Sequence, residues 1–195
     1  MSHDNKTESE KREKVRQLVN SIDFAFLVSQ TGNGMLHGRP MSTAKVEENA
    51  DVIYFAADRH SAKIEEIVRD PNVFLGYVNT SGSDWVSIAG TARAVDDRAK
   101  IHELYSAHWN NWFDGPDDPK LILIEVQPSV AEYWDSGSKL IAVAKFTFGA
   151  VTGKKMDIGE NDKVTFGNAI RANVKREPAE ASAVASKLNS PSEEL

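Results

Sequence analysis

The sequence predicts a mainly β fold, an antiparallel barrel with a few helices packed outside it. Three observations predict this. Short runs rich in β-branched and aromatic residues follow one another along the chain, as half-buried strands do. Most are joined by polar turns, which antiparallel pairing allows, whereas a parallel connection needs a crossover of about a dozen residues or more. Only two segments between strands, residues 61–69 and 97–109, read as helices that could serve as crossovers. That is too few for a doubly wound α/β sheet.

The first helix starts near Thr7. Thr7 and Glu10 have capping-box spacing, and Val15, Leu18, Val19 and Ile22 fall on one apolar face. Residues 24–29 form the first strand. Thr31-Gly32-Asn33-Gly34 is turn chemistry, because Asn and Gly tolerate positive φ. Residues 36–46 return as a second strand, with Pro40 marking an edge, a bulge or the end of pairing. A polar turn at 47–51 leads to a strand at 52–57. Residues 61–69 are helical, with Ile64, Ile67 and Val68 on the apolar face and Asp70-Pro71-Asn72 as the stop. Strands follow at 73–79 and 85–95. Gly90, inside the second of these, signals a bulge or a close backbone approach.

Asp96-Asp97 caps a helix expected to run through 97–109, with Ile101, Leu104, Tyr105, His108 and Trp109 on one face. A loop rich in Asp, Pro and Gly spans 110–119, and two separate strands are expected at 121–126 and 130–135. The segment 139–148 suits a short helix or a strand equally well. Residues 149–155 approach a phosphate-binding loop but are one residue short, with Lys155 where the motif needs Ser or Thr.

Length and composition bound the function. The 195 residues suit one domain, placed at 9–170, with unstructured segments at 1–8 and 171–195. Cysteine is absent, which excludes disulfides, Cys-ligated metal sites and a thiol nucleophile. The formal net charge of −6 argues against nucleic acid. No apolar run is long enough to span a bilayer, and the polar N-terminus does not read as a signal peptide. The five histidines show no metal-ligand spacing. A cytoplasmic protein is expected.

Three groups of residues could carry chemistry. Arg39, in the strand segment His37-Gly38-Arg39-Pro40-Met41-Ser42, offers a planar fork of donors that suits a phosphate. Pro40 removes one ladder donor beside it. Ser61 and Lys63 stand at the start of a helix, where free N–H groups favour anions. Trp109, Trp112 and Trp134 lie on a loop and a strand end, where aromatics can cover a flat ligand. Each group also has an ordinary structural reading: a solvated edge Arg, a capped helix start, and core tryptophans.

Taken in order, these segments resemble the FMN-binding split-barrel family that includes pyridoxamine 5′-phosphate oxidase, and within it the general stress protein branch. The resemblance runs from about Lys14 to Phe166. It is carried by Phe24-Ala25-Phe26-Leu27-Val28-Ser29, Arg39-Pro40-Met41-Ser42, Tyr54-Phe55-Ala56-Ala57 leading to Ser61-Ala62-Lys63, and Ser87 to Ala92. Trp112-Phe113-Asp114-Gly115, Glu132-Tyr133-Trp134-Asp135 and Thr152-Gly153-Lys154 with Gly159-Glu160-Asn161 complete it.

The resemblance implies a six-stranded antiparallel split barrel of Greek-key type that forms a homodimer, with FMN, or alternatively FAD, at the subunit interface. It implies that Arg39 and Lys63 neutralise the FMN phosphate, with Ser61 hydrogen-bonded to it. Backbone at Pro40, Met41, Ser42, Ala56 and Ala57 would hold the ring, and Trp109, Trp112 or Trp134 of a second copy would cover it. The family's oxidases carry Arg-Leu-His shortly after the C-terminal Trp. Here Trp134 is followed by Asp135-Ser136-Gly137-Ser138-Lys139. The resemblance therefore implies a flavin-dependent redox protein without pyridoxine-phosphate oxidase activity. A non-catalytic flavin-binding or sensing module and a genuine oxidase stand as the alternatives.

Overall fold

The computed structural model describes residues 6–79, 84–135 and 160–166. All the strands expected from the sequence form, and every ladder between strands is antiparallel. The elements are α1 (Glu8–Asn20), β1 (Phe24–Gln30), β2 (Leu36–Val46), β3 (Ile53–Asp58), α2 (Ala62–Arg69), β4 (Asn72–Asn79), β5 (Asp84–Val95), α3 (Arg98–Leu104), β6 (Leu121–Asp135) and β7 (Glu160–Thr165). The strand order is β3-β2-β1-β4-β5-β6-β7, and a further pairing of β3 with β6 closes the first six into a barrel. Closure removes the exposed edges that an open sheet would present.

Strand β6 explains how the barrel can be closed and still have a seventh strand. One of its edges pairs with β5 along nearly its whole length. Its other edge is shared: Leu121–Val126 pair with β3, and Val130–Asp135 pair with β7. The two strands expected at 121–126 and 130–135 are thus one strand of 15 residues. Gln127-Pro128-Ser129 does not turn the chain. It is absorbed as a register shift opposite Ala89 and Gly90. A Cβ on Gly90 would lie 2.3 Å from the Gln127 carbonyl oxygen, so the close backbone approach signalled by that glycine is present.

The helix expected at 97–109 is shorter. Asp97 caps α3 by accepting from the Lys100 N–H at 3.0 Å, but the backbone leaves helical geometry at Tyr105 (φ −59°, ψ 130°). Ser106 then accepts from the His108 N–H and starts a separate 3-10 turn at Ala107–Asn111. A hydroxyl positioned to cap a new turn competes with helix continuation. Trp109 therefore reaches the protein from the turn, not from the helix.

Leu27, Phe55, Leu75, Ile88, Ile124 and Tyr133 fill the barrel and are fully buried, joined by Val15, Leu18 and Val19 of α1 and Ile64, Ile67 and Val68 of α2. A second cluster packs on the outside, where Ile101, Trp109 and Phe113 cover Leu121, Leu123, Tyr54 and Ala56.

Strand β7 was not evident in the sequence because it reads Glu-Asn-Asp-Lys-Val-Thr, with Val164 as its buried apolar residue. Charge pairs to α1 and to the residue ahead of its cap hold it: Lys6 with Glu160 at 2.6 Å and Lys11 with Asp162 at 3.0 Å, while Lys14 meets Asp135 on the neighbouring strand. The tail at 171–195 and the segments 139–148 and 149–155 lie outside the described residues. No helix among the described residues is long and apolar enough to cross a membrane.

Candidate functional site

The site begins where the β2–β3 ladder stops. β2 and β3 pair only through Thr43 with Phe55, Lys45 with Tyr54 and Val46 with Ile53. Yet β2 extends back to Leu36 and β3 forward to Asp58. Over Gly38–Ser42 and Ala56–Asp58 the two edges have no ladder with each other, and a notch opens between them. Pro40 sits in this stretch, opposite Phe26 of β1, and has no N–H to offer on either edge. The strand period alternates its side chains, so Arg39 and buried Met41 turn to the barrel side, while Pro40 is exposed on the outer side with Ser42. Ala57 is buried, and Ala56 packs toward the outer cluster.

The chain leaves β3 and enters α2 at this same notch. Ser61 is the N-cap residue (φ −76°, ψ 144°), but its hydroxyl does not cap the helix. It donates to the Asp58 carbonyl at 2.6 Å, which ties the loop to the strand. Lys63, one turn into this junction, is half-buried and has no hydrogen bond or ion pair among the described residues. Burial, reinforced by the charge of Arg39, holds its ammonium below the ordinary lysine range, and Asp58 and Glu66 offset this only in part. Two of the residues nominated from the sequence, Arg39 and Lys63, therefore lie close enough to repel each other.

Arg39 is not a free cation. Its Nη2 donates to Oε2 of Glu66 at 2.5 Å, and its Nη1 donates to the hydroxyl of Ser29. Ser29 donates in turn to the same Glu66 oxygen at 2.6 Å. Glu66 is 6% exposed and Ser29 1% exposed, so little water dilutes the pair. Burial pushes the Glu66 carboxyl up, but the hydrogen bonds from Ser29 and Arg39 outweigh it and hold the group below the ordinary glutamate range. His37 Nδ1 completes the group, 3.0 Å from Arg39 Nη2 and 3.4 Å from Glu66 Oε1. A guanidinium has five N–H donors, so Nε and part of Nη1 remain after these contacts.

Glu66 and Ser29 were missed by sequence reasoning. The signal was present in the strands: Ser29 and Arg39 occupy barrel-side positions where their neighbours Leu27 and Met41 are apolar, and an inward cation needs a counter-charge.

Past the far end of the unpaired stretch, a cavity of about 460 Å³ lies between α1, the start of β1, β2 and the 3-10 turn. Asp23, Phe24, Ser42, Lys45, His108 and Trp109 contribute to its walls. Ser42 and Trp109, nominated separately, thus meet at one cavity. Trp109 is 5% exposed and stacks edge-on against Tyr105 at 5.6 Å. It is a core residue of its own chain. Trp112 is the opposite case, 63% exposed with one edge contact to His108. Trp134 is partly exposed and pairs across the ladder with Trp85.

The outer sheet face next to this cavity carries an unusual run of bare apolar side chains. Phe24 and Phe26 of β1, Phe74 and Val78 of β4, Trp85 of β5 and Trp134 of β6 are all exposed there. The ladders place them side by side: Phe26 faces Gly76, Val78 faces Trp85, and Trp85 faces Trp134. The Phe26 ring lies so close over Gly38 that a Cβ there would be 2.1 Å from it. Contiguous apolar patches of this kind mark interaction surfaces.

Comparison with known proteins gives a consistent result. A sequence model of the family "pyridoxamine 5′-phosphate oxidase like" matches residues 10–157. General stress protein 26 of Bacillus subtilis is 33% identical over 90 residues, which cover 45% of this chain and 64% of the relative. Among solved structures, a protein designated general stress protein 26 from Jannaschia sp. CCS1 superposes with a TM-score of 0.69 at 21% identity, covering 82% of this chain and all of the other. The general stress FMN/FAD binding protein of Xanthomonas citri superposes with a TM-score of 0.57 at 24% identity, covering 66% and 90%. At these identities the structures establish the split-barrel fold.

Proposed function

The chain belongs to the pyridoxamine 5′-phosphate oxidase like family, and on that premise we propose that it is an FMN-binding general stress protein, a flavin-dependent redox protein acting as a homodimer. One observation carries the reading. Arg39 and Lys63, from two different elements, converge at the notch where β2 and β3 stop pairing. An uncommitted, half-buried ammonium beside a helix N-terminus fits a phosphate.

Lys63 would hold the phosphate directly, and the Ser61 hydroxyl would turn from the Asp58 carbonyl to donate to it, while Arg39 stays engaged with Glu66. The unpaired backbone at Pro40, Met41, Ser42, Ala56 and Ala57 offers groups for the polar edge of the ring. When bound, the flavin would supply the electron chemistry. The cavity beside Ser42 and Trp109 leaves room next to that backbone. The bare face over β1, β4, β5 and β6 suits a second copy, which would bring Trp112 or Trp134 toward the site. FAD is the alternative cofactor, supported by what the Xanthomonas citri protein is said to bind. The absence of Arg-Leu-His after Trp134 supports a redox role other than oxidation of pyridoxine phosphates. A cysteine-free chain accords with the cytoplasm.

The test is a titration of the purified protein with FMN, FAD and riboflavin, followed by flavin fluorescence. FMN is expected to bind more tightly than riboflavin, with its absorption bands shifted on binding. Binding of none of the three overturns the reading.

A further inference from the structure

We propose that Glu66 keeps the notch from favouring dianionic over singly charged phosphoryl groups, by neutralising Arg39 and leaving Lys63 as the single active cation. The inference rests on the anion-binding part of the flavin reading and adds a residue that the family resemblance did not assign.

The Arg39–Glu66 pair is short, at 2.5 Å, with the two side chains 16% and 8% exposed. Glu66 thereby offsets much, though not all, of the charge that Arg39 presents to a third ion. An anion that reached Arg39 would also lie within a few ångströms of a carboxylate that stays ionised, and like charges at about 4–6 Å disfavour each other. Of the other charged groups around the notch, Asp58 on β3 adds a further carboxylate, already engaged with the His60 N–H at 2.8 Å. His37 on β2 lies between Arg39 and Glu66. The ammonium of Lys63 on α2 therefore faces the ligand with no second uncompensated cation beside it.

A phosphomonoester carries about 1.5 to 2 negative charges near neutrality, more than one ammonium matches. A phosphoryl group of single charge, such as a phosphodiester or one phosphate of a pyrophosphate, matches it one to one. The notch therefore discriminates little between the two classes. Neutralising Glu66 would release Arg39 and favour the dianion.

The experiment follows the backbone amide of Lys63 by NMR during titration with inorganic phosphate at pH 8, where it is the dianion, and separately with dimethyl phosphate, a monoanion. The wild type is expected to prefer inorganic phosphate by no more than about threefold. Glu66→Gln is expected to raise that preference to about tenfold or more, the size of one charge-assisted hydrogen bond gained. If Glu66→Gln is too unstable to study, the double variant Arg39→Gln, Glu66→Gln gives an independent reading. It removes both charges and should bind inorganic phosphate within about threefold of wild type.

A tenfold loss in the double variant would show that Arg39 binds the anion despite Glu66, and would overturn the proposal. So would a preference in Glu66→Gln no greater than in wild type. These probes contain no flavin, so a wild type that binds no flavin but gives the expected phosphate results refutes the flavin reading alone.

Discussion

The barrel has two aromatic outer faces that differ in what covers them. Over β3 and β6 the chain supplies its own cover: α3 and the 3-10 turn lay Ile101, Trp109 and Phe113 on Leu121 and Leu123, and Trp109 keeps 5% of its surface. Over β1, β4 and β5 no described element does so, and Phe24, Phe26 and Trp85 each keep half of theirs. The two faces meet at the cavity, where Phe24 and Trp109 share the lining. Identical residue types thus serve as core on one side and as exposed surface on the other. The difference lies in which chain segment returns to each face.

The sharpest way to break this comparison is to truncate one tryptophan from each class. Trp109→Ala should cost about 3–5 kcal/mol of folding stability, the range for deleting a buried aromatic. Trp112→Ala should stay within about 0.5 kcal/mol, because its side chain packs on little. Urea unfolding of both variants checks this, and equal losses would erase the distinction. On the bare face, Trp85→Lys should leave the monomer folded but weaken self-association by about 2 kcal/mol or more, as a central interface aromatic does. Sedimentation across a concentration series reads the effect, and a wild type that stays monomeric throughout would refute the homodimer.

Smaller effects sharpen the picture around the notch. Glu66 has its folded-state pKa lowered, so its contribution is present above the ordinary glutamate range and is lost as pH falls through that range and below. Glu66→Gln should therefore lose stability at pH 7 and approach the wild type on acidification. A constant difference from pH 7 to pH 3 would contradict the assignment. A further modest effect is expected at the start of α1. Thr7 accepts from the Glu10 N–H while the Glu10 carboxylate accepts from the Thr7 N–H at 2.7 Å. Thr7→Ala should cost about 1 kcal/mol, measured by thermal unfolding.

Much of this architecture was legible in the sequence because it rests on local rules. The capping box at Thr7, the full extent of β2 and the close approach at Gly90 follow from short-range patterns. What escaped depended on distant partners. β7 is polar, and its carboxylates are matched by Lys6, just ahead of α1, and by Lys11 of α1. β6 continues through Pro128 because its extra residue, Ser129, is taken up as a bulge opposite Ala89 and Gly90 of β5. At the site, Arg39 and Lys63 were found as cations, but the pairing of Arg39 with Glu66 joins residues 27 apart and shows in no motif. The roles of the tryptophans were unreadable for the same reason, since burial is decided by what folds back over each ring.

The central claim is that the notch binds a flavin through its phosphate, and Lys63 offers the cleanest test because no ion pair is lost with it. The measurement is the ratio of FMN to riboflavin affinity in wild type and in Lys63→Ala, by fluorescence titration. Loss of a charged hydrogen bond is worth about 1.5–3 kcal/mol. FMN affinity is therefore predicted to fall about 10- to 100-fold while riboflavin affinity holds. An equal change for both ligands, or none for either, would contradict the account.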